Sequence, residues 1–334
     1  MSLLTVTDLK VDYQTPAGPV RAVERGAFEA PAGEIVGLVG ESGCGKTTLA
    51  RAITGVMSRS ARVAGGSIRF EGKEIAGAPP SVMQEILWRR MAFVPQSAMN
   101  ALDPVYRVGK QIEEVLVHRG NYRREDVPKR IAELFEMVGL NPKRQNDYPH
   151  QFSGGMRQRV GIALALALNP ALMIADEPVT ALDVIVQRQV LDTLKDLQRR
   201  LNLSVIIVTH DISVVAYVCD RVVVMYAGEV VESGKVKDVL EQPVHPYTMG
   251  LTNAFPDLGR AAGTLVPIAG SPPDLRDPPP GCRFAPRCPF AEPRCAQTSP
   301  PLVTDEKGHA AACLRANEAP MLREQARDPA RWAA

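Results

Sequence analysis

Charge of one sign is what this 334-residue sequence lacks: 39 Lys and Arg stand against 37 Asp and Glu, a formal net charge of +2. A protein that grips nucleic acid by a broad basic surface carries a larger excess, so that class is disfavoured. Long apolar runs are missing too. The longest lies around Gly161 to Leu168, bounded by Arg159 and Asn169, far short of the roughly 20 residues that span a bilayer. The N-terminal MSLLTVTDLK is broken by Asp8 and Lys10 and does not read as a signal peptide. Internal repeats, heptads and long charge runs are absent, and none of the six cysteines forms a C-x₂-C pair. These absences point to a soluble, cytosolic protein, while 45% hydrophobic residues suffice for a packed core and argue against global disorder.

What is present divides the chain. Nearly half of the 28 prolines follow Val266, so a main body is expected to precede a differently built tail. In the body, Leu4 to Tyr13 alternates as a half-buried strand. Glu34–Val39, Ala171–Ala175 and Ser204–Val208 are short apolar runs typical of strands covered on both faces. Helical patterns at Lys46–Met57, Met156–Leu168 and Val184–Leu201 alternate with them, predicting an α/β domain on a parallel sheet. Arg221–Tyr226, Ala227-Gly228 and Glu229–Val231 read as a closing hairpin. Between Gln96 and Arg159 the strand signal gives way to helical stretches, Val108–His118 and Pro128–Val138, which predicts a helical insertion.

Three segments carry chemistry. Gly40-Glu-Ser-Gly-Cys-Gly45-Lys46-Thr47 fits G-x-x-x-x-G-K-[ST] between a strand and a helix. Glycines let successive N–H groups face a phosphate, and the following helix adds its positive end. Lys46 is expected on the β/γ-phosphates and the Thr47 hydroxyl on Mg²⁺. Leu172-Met-Ile-Ala-Asp176-Glu177 ends a buried strand in two carboxylates, Asp176 for Mg²⁺ and Glu177 to polarise the attacking water. Ser153-Gly154-Gly155 then opens a long helix, with Ser153 as its N-cap and a second anion site at its start.

With these three segments present together, the chain resembles the ATP-binding subunits of ABC transporters over residues 4–255. The resemblance implies a RecA-like P-loop NTPase core with an antiparallel β subdomain and a helical subdomain at about 97–165. Gln96 then looks like the Q-loop glutamine, which senses Mg²⁺ and water, and Phe152–Gln158 like the signature motif. Asp183, in Ala181-Leu-Asp, matches the D-loop, His210 the switch histidine, and Tyr13 the aromatic that stacks on adenine. The expected nucleotide contacts are therefore Tyr13, Gly40, Ser42, Gly43, Cys44, Gly45, Lys46, Thr47, Thr48, Gln96 and Asp176. Across a head-to-tail pair of cassettes, Ser153, Gly154, Gly155, Gln158 and Asp183 join them. Catalysis would rest on Glu177, His210 and Gln96, and Mg²⁺ on Thr47, Gln96 and Asp176.

The segments Tyr148–Arg159, Ile174–Pro178 and Ala181–Val184 are similar to the D-type ATPases of dipeptide and oligopeptide importers, a group that includes nickel and glutathione importers. Val179 departs from the threonine more usual there. The implied protein is an ATPase on the cytoplasmic face of the inner membrane. Its expected partners are two permease subunits, a second ATP-binding subunit (an F-type chain or a second copy), and an extracytoplasmic substrate-binding protein; nucleic acid is not among them. A soluble ABC ATPase acting on DNA or ribosomes is the alternative, although neither an inserted coiled coil nor a second cassette is present.

Residues 256–334 resemble the C-terminal domain of these ATPases, a small region rich in Cys and Pro. Cys282, Cys288, Cys295 and Cys313 suit iron–sulfur or zinc as thiolates, and their spacing leaves both, or no ligand, open. Some members of the group hold a [4Fe–4S] cluster on four such cysteines, so the resemblance implies ATP, Mg²⁺ and that cluster as cofactors. A tail that senses metal or redox state is a compatible further reading.

Overall fold

The computed structural model describes residues 2–96, 101–253 and 268–332. The strands, in chain order, are β1 (Ser2–Thr15), β2 (Gly18–Pro31), β3 (Ile35–Val39), β4 (Ala61–Phe70), β5 (Lys73–Glu74) and β6 (Met91–Val94). They continue with β7 (Leu172–Asp176), β8 (Ser204–Thr209), β9 (Arg221–Tyr226), β10 (Glu229–Lys235), β11 (Val303–Thr304) and β12 (Ala310–Ala311). Two compact units emerge. One gathers residues 1–3, 30–35 and 78–208, and the other gathers 4–29, 36–77 and 209–334.

The first unit holds the parallel strands β6, β7 and β8. Met91 pairs with Leu172, Leu172 with Ser204, and Asp176 with Val208. Every residue of β7 and β8 is buried, which is why Leu172–Ala175 and Val205–Val208 are continuously apolar: a parallel strand covered on both faces has no solvent face. The helices Val108–His118, Val127–Met137 and Gly154–Ala165 follow one another in this unit. They lie where the helical insertion was expected, although its predicted start at 97 falls outside the described residues. Arg130 is buried among them and donates to the carbonyls of Leu166 and Ala167 and to Asn169 Oδ1.

The second unit is a mixed sheet with the order β5-β4-β1-β2-β10-β9-β3. β1 and β4 run antiparallel, while β3 and β9 are parallel, with Val36 opposite Arg221. The predicted hairpin is present: β9 and β10 pair antiparallel around Ala227 and Gly228, both with positive φ, as a primed turn between right-twisted strands demands.

The described tail residues share their core with the sheet of this unit. β12 pairs with β10 through Glu232–Ala311 and Ser233–Ala310. Phe284, Phe290, Leu322 and Trp332 share one apolar cluster with Val39, Val222, Val224, Tyr226 and Tyr247. The expected boundary near 255 lies outside the described residues. Composition suggested a separate tail because Pro, Gly and Cys favour turns over long elements, and short elements can still pack into an existing core.

Candidate functional site

In the second unit, the buried strand β3 delivers the phosphate loop to the N-terminus of the helix Lys46–Thr54. Gly45 caps that helix with φ +102°, and a Cβ there would stand 2.5 Å from the Ala22 carbonyl oxygen, so the position admits only glycine. Lys46 is buried. Its Nζ donates to the carbonyls of Gly40 (2.7 Å) and Glu41 (2.9 Å) and lies 3.7 Å from Cys44 Sγ. These acceptors are neutral, so a desolvated ammonium sits in a cradle whose natural complement is an anion. Burial raises the Cys44 thiol pKa despite the nearby Lys46 ammonium, which keeps Cys44 a neutral filler. Tyr13 is half-buried, with its hydroxyl 3.4 Å from Thr48 Oγ1, so the expected adenine-stacking residue stands over the expected phosphate helix. His210 is exposed just past β8.

The first unit assembles the carboxylate end. Asp176 closes β7 at 1% exposure. Glu177 follows in a left-handed backbone, φ +50°, held by its own N–H donating to the Val208 carbonyl at 2.8 Å. Such a conformation costs a non-glycine residue about 1–3 kcal/mol and persists only where its surroundings enforce it. Gln96 Nε2 donates to Glu177 Oε2 at 3.1 Å, and Thr180 Oγ1 donates to the same oxygen at 2.7 Å. Two expected catalytic residues, Gln96 and Glu177, are thus brought into direct contact. Thr180 was not foreseen, because nothing about a threonine three residues on from a glutamate marks it as a partner. Val179 is buried and turned away from solvent.

Ser153 caps the helix Gly154–Ala165 as anticipated, its Oγ accepting from the Met156 N–H at 3.3 Å. Gly155 is needed for packing: a Cβ there would come within 2.2 Å of Val186 Cγ1. Asp183 N-caps the helix Val184–Leu201, accepting from the Val186 N–H at 2.9 Å. Ser153 and Asp183 are exposed, whereas Gln158 is 3% exposed and directed inward.

The four tail cysteines are all free thiols, and all line one small cavity together with His245, Phe284, Phe290 and Arg315. Burial pushes the Cys288 thiol up to about 12 and Cys313 up to about 11, and raises Cys282. His245, wholly buried, is pushed down to about 3 and is neutral. Four soft donors around one cavity have the right chemistry for a thiophilic group. Among the described residues, however, no three His, Cys, Asp or Glu side chains converge as a ready metal-ion site.

The region from 23 to 180 matches the family described as ABC transporter, and that from 231 to 295 matches the oligopeptide/dipeptide transporter C-terminal region. The oligopeptide transport ATP-binding protein OppD of Escherichia coli K12 is 44% identical over 94% of this chain and 93% of its own length. The chain belongs to the ABC transporter ATP-binding proteins. Within that family its relatives include the oligopeptide transport ATP-binding protein AppD of Bacillus subtilis, 42% identical over 94% of this chain and 96% of AppD. The dipeptide transport protein DppD of the same species is 42% identical over 93% and 94%. Among solved structures, the post-hydrolysis dimer of the ATP-binding cassette MJ0796 with ADP and Pi matches with a TM-score of 0.62 at 28% identity, covering 70% of this chain and 98% of that one. The cassette cbiO1 of Clostridium perfringens matches at 0.64 and 26% identity, over 72% and 91%. This ABC ATPase therefore has the cassette fold, and ATP with Mg²⁺ is consistent with that family. Among the described residues no helix is long and apolar enough to cross a membrane.

Proposed function

We propose that this ABC ATPase binds and hydrolyses ATP to drive a peptide importer. The observation that carries this reading is the buried Lys46 ammonium, hydrogen-bonded to the neutral carbonyls of its own loop, to which an incoming phosphate is the natural counter-charge. Thr47 and Asp176 would hold Mg²⁺, with Gln96 as its sensor. Glu177, oriented by Gln96 and Thr180, would polarise the water that attacks the γ-phosphate. Tyr13 would carry the adenine, and His210 would meet the γ-phosphate. The exposed Ser153 and Asp183 suit contacts made across a pair of cassettes, where a second helix N-terminus offsets the triphosphate charge.

The names of the relatives support oligopeptides or dipeptides as cargo rather than nickel or glutathione, or a DNA or ribosome role. The partners this requires are two permease subunits, a second ATP-binding chain and an external binding protein, with this chain peripheral at the cytoplasmic membrane face. The direct test is to purify the protein with its membrane neighbours and assay ATP hydrolysis with and without peptide-loaded binding protein. Co-purifying permease chains and peptide-stimulated turnover are expected; a chain that purifies alone and ignores peptide would defeat the transport reading.

We further propose that Cys282, Cys288, Cys295 and Cys313 hold a thiolate-bound group, of which [4Fe–4S] is the form suggested by the family resemblance. What supports this is that the four sulfurs line one cavity. Such a group would supply a rigid cross-link between tail segments. Metal analysis and an absorption spectrum of anaerobically prepared protein decide this, and protein free of iron and zinc would sink it.

A further inference from the structure

Arg287, the residue before Cys288, is a tail residue that reaches the phosphate loop. Its side chain is 7% exposed. NH1 donates to Glu41 Oε2 at 2.7 Å and NH2 to Glu41 Oε1 at 3.0 Å, a two-pronged pair that fixes the carboxylate in plane. Tyr226 Oη and the carbonyls of Ala269 and Ile268 take the remaining guanidinium hydrogens, at 3.1, 2.9 and 3.3 Å. Burial alone would lower the Arg287 pKa, but Glu41 and Tyr226 raise it above its ordinary value, so the cation is permanent.

Glu41 is the second residue of the loop and is tied at three points. Its side chain goes to Arg287, its N–H donates to Tyr247 Oη at 2.9 Å, and its carbonyl accepts from Lys46 Nζ. The same backbone unit that cradles the phosphate lysine is therefore clamped by two residues from beyond the cassette motifs. A carboxylate here adds negative charge beside a site meant for a triphosphate, and in a partly buried setting salt screens it poorly.

We propose that Arg287 is a positioning residue of the nucleotide site: it cancels the Glu41 charge and holds the loop in the shape that receives phosphate. This rests on the reading that the loop binds ATP. The role is asymmetric. Removing the arginine exposes the carboxylate, whereas removing the carboxylate leaves a cation that phosphate tolerates. A purely structural ion pair would instead suffer from either loss.

The test uses the full chain, with a fluorescent ATP analogue and ADP as probes, melting curves as a check on folding, and steady-state hydrolysis. Arg287→Met is expected to weaken nucleotide binding about tenfold, roughly the scale of a lost charge-assisted contact, and to raise KM more than it lowers kcat. Arg287→Lys should recover part of the loss. Glu41→Gln should bind as well as the wild type or better, and Glu41→Gln/Arg287→Met should return close to wild-type affinity. Unchanged affinity in Arg287→Met, an equal loss in the double variant, or weakened binding in Glu41→Gln would each overturn the proposal. Should Arg287→Met fail to fold, the Glu41→Gln result alone still decides. A wild-type chain that binds no nucleotide would overturn the underlying ATP reading as well.

Discussion

The phosphate loop is made by consecutive residues, Gly40 to Thr47, whereas the cysteine cavity is lined by residues scattered between His245 and Arg315. The loop draws its chemistry from backbone N–H and carbonyl groups shaped by glycine, with one lysine folded across them. The cavity draws its chemistry from side chains that short turns, a two-residue strand and a shared aromatic cluster bring together. The first kind of site survives as a pattern in the chain, and the second exists only once the chain is packed. Each should therefore fail in its own way.

The largest effect is expected on the motif-built side. Glu177→Gln removes the carboxylate that Gln96 and Thr180 orient while keeping its shape, so phosphate release should fall by about 10²–10⁴ with nucleotide affinity retained. A variant that still turned over at half the wild-type rate would remove Glu177 from the chemistry. Next comes the packed side. Cys313→Ser should leave nucleotide affinity within about twofold yet reduce bound iron or zinc by more than the roughly 10–100-fold seen for changes beyond the ligands themselves. Loss of ATP binding in this variant would show that the two sites cannot be separated.

Smaller effects sharpen the contrast. Ser153→Ala deletes the cap of the helix Gly154–Ala165 and should cost about 1 kcal/mol in a denaturant titration, as N-caps typically do. The last effect concerns the tail strand. Glu232, fully buried, accepts from the N–H groups of Val244 and His245 and meets His309 Nε2 at 2.7 Å, next to the β10–β12 pairing. Burial pulls the His309 pKa down, but Glu232 more than offsets it, leaving it above the ordinary 6.5. The stabilisation is therefore complete below about pH 6.5 and lost as pH rises through the elevated value. Hydrogen exchange at Ala310 and Ala311 should accelerate on going from pH 6 to 8 by more than the intrinsic rate predicts, and that excess should vanish in His309→Gln.

How much of this was legible follows the same division. β3, β7 and β8 were readable because strands buried on both faces need apolar runs through their middles, and the helix Val184–Leu201 was readable from its periodic stripe. β2 was missed, since its charged residues form ion pairs across the sheet, such as Arg21 with Asp12 and Arg25 with Glu229, and so hide the alternation. β4 carries Gly65-Gly66 in mid-strand, which reads as a turn. β12 is two alanines and has no local signature at all. At the site, the phosphate loop and the Asp176-Glu177 pair could be located from the chain. Thr180, Tyr247 and Arg287 could not, because their roles depend on partners that only folding supplies.

The ion pair between Glu41 and Arg287 joins residues 246 positions apart. On a ribosome adding roughly 5–20 residues per second, the phosphate loop emerges some 12–50 s before the arginine that balances it. Until then the Glu41 carboxylate has no arginine to balance it, and on the proposed role of Arg287 the loop would favour triphosphate less. On that role, docking of the tail would complete the site, so the loop would take triphosphate well only once Arg287 has met Glu41.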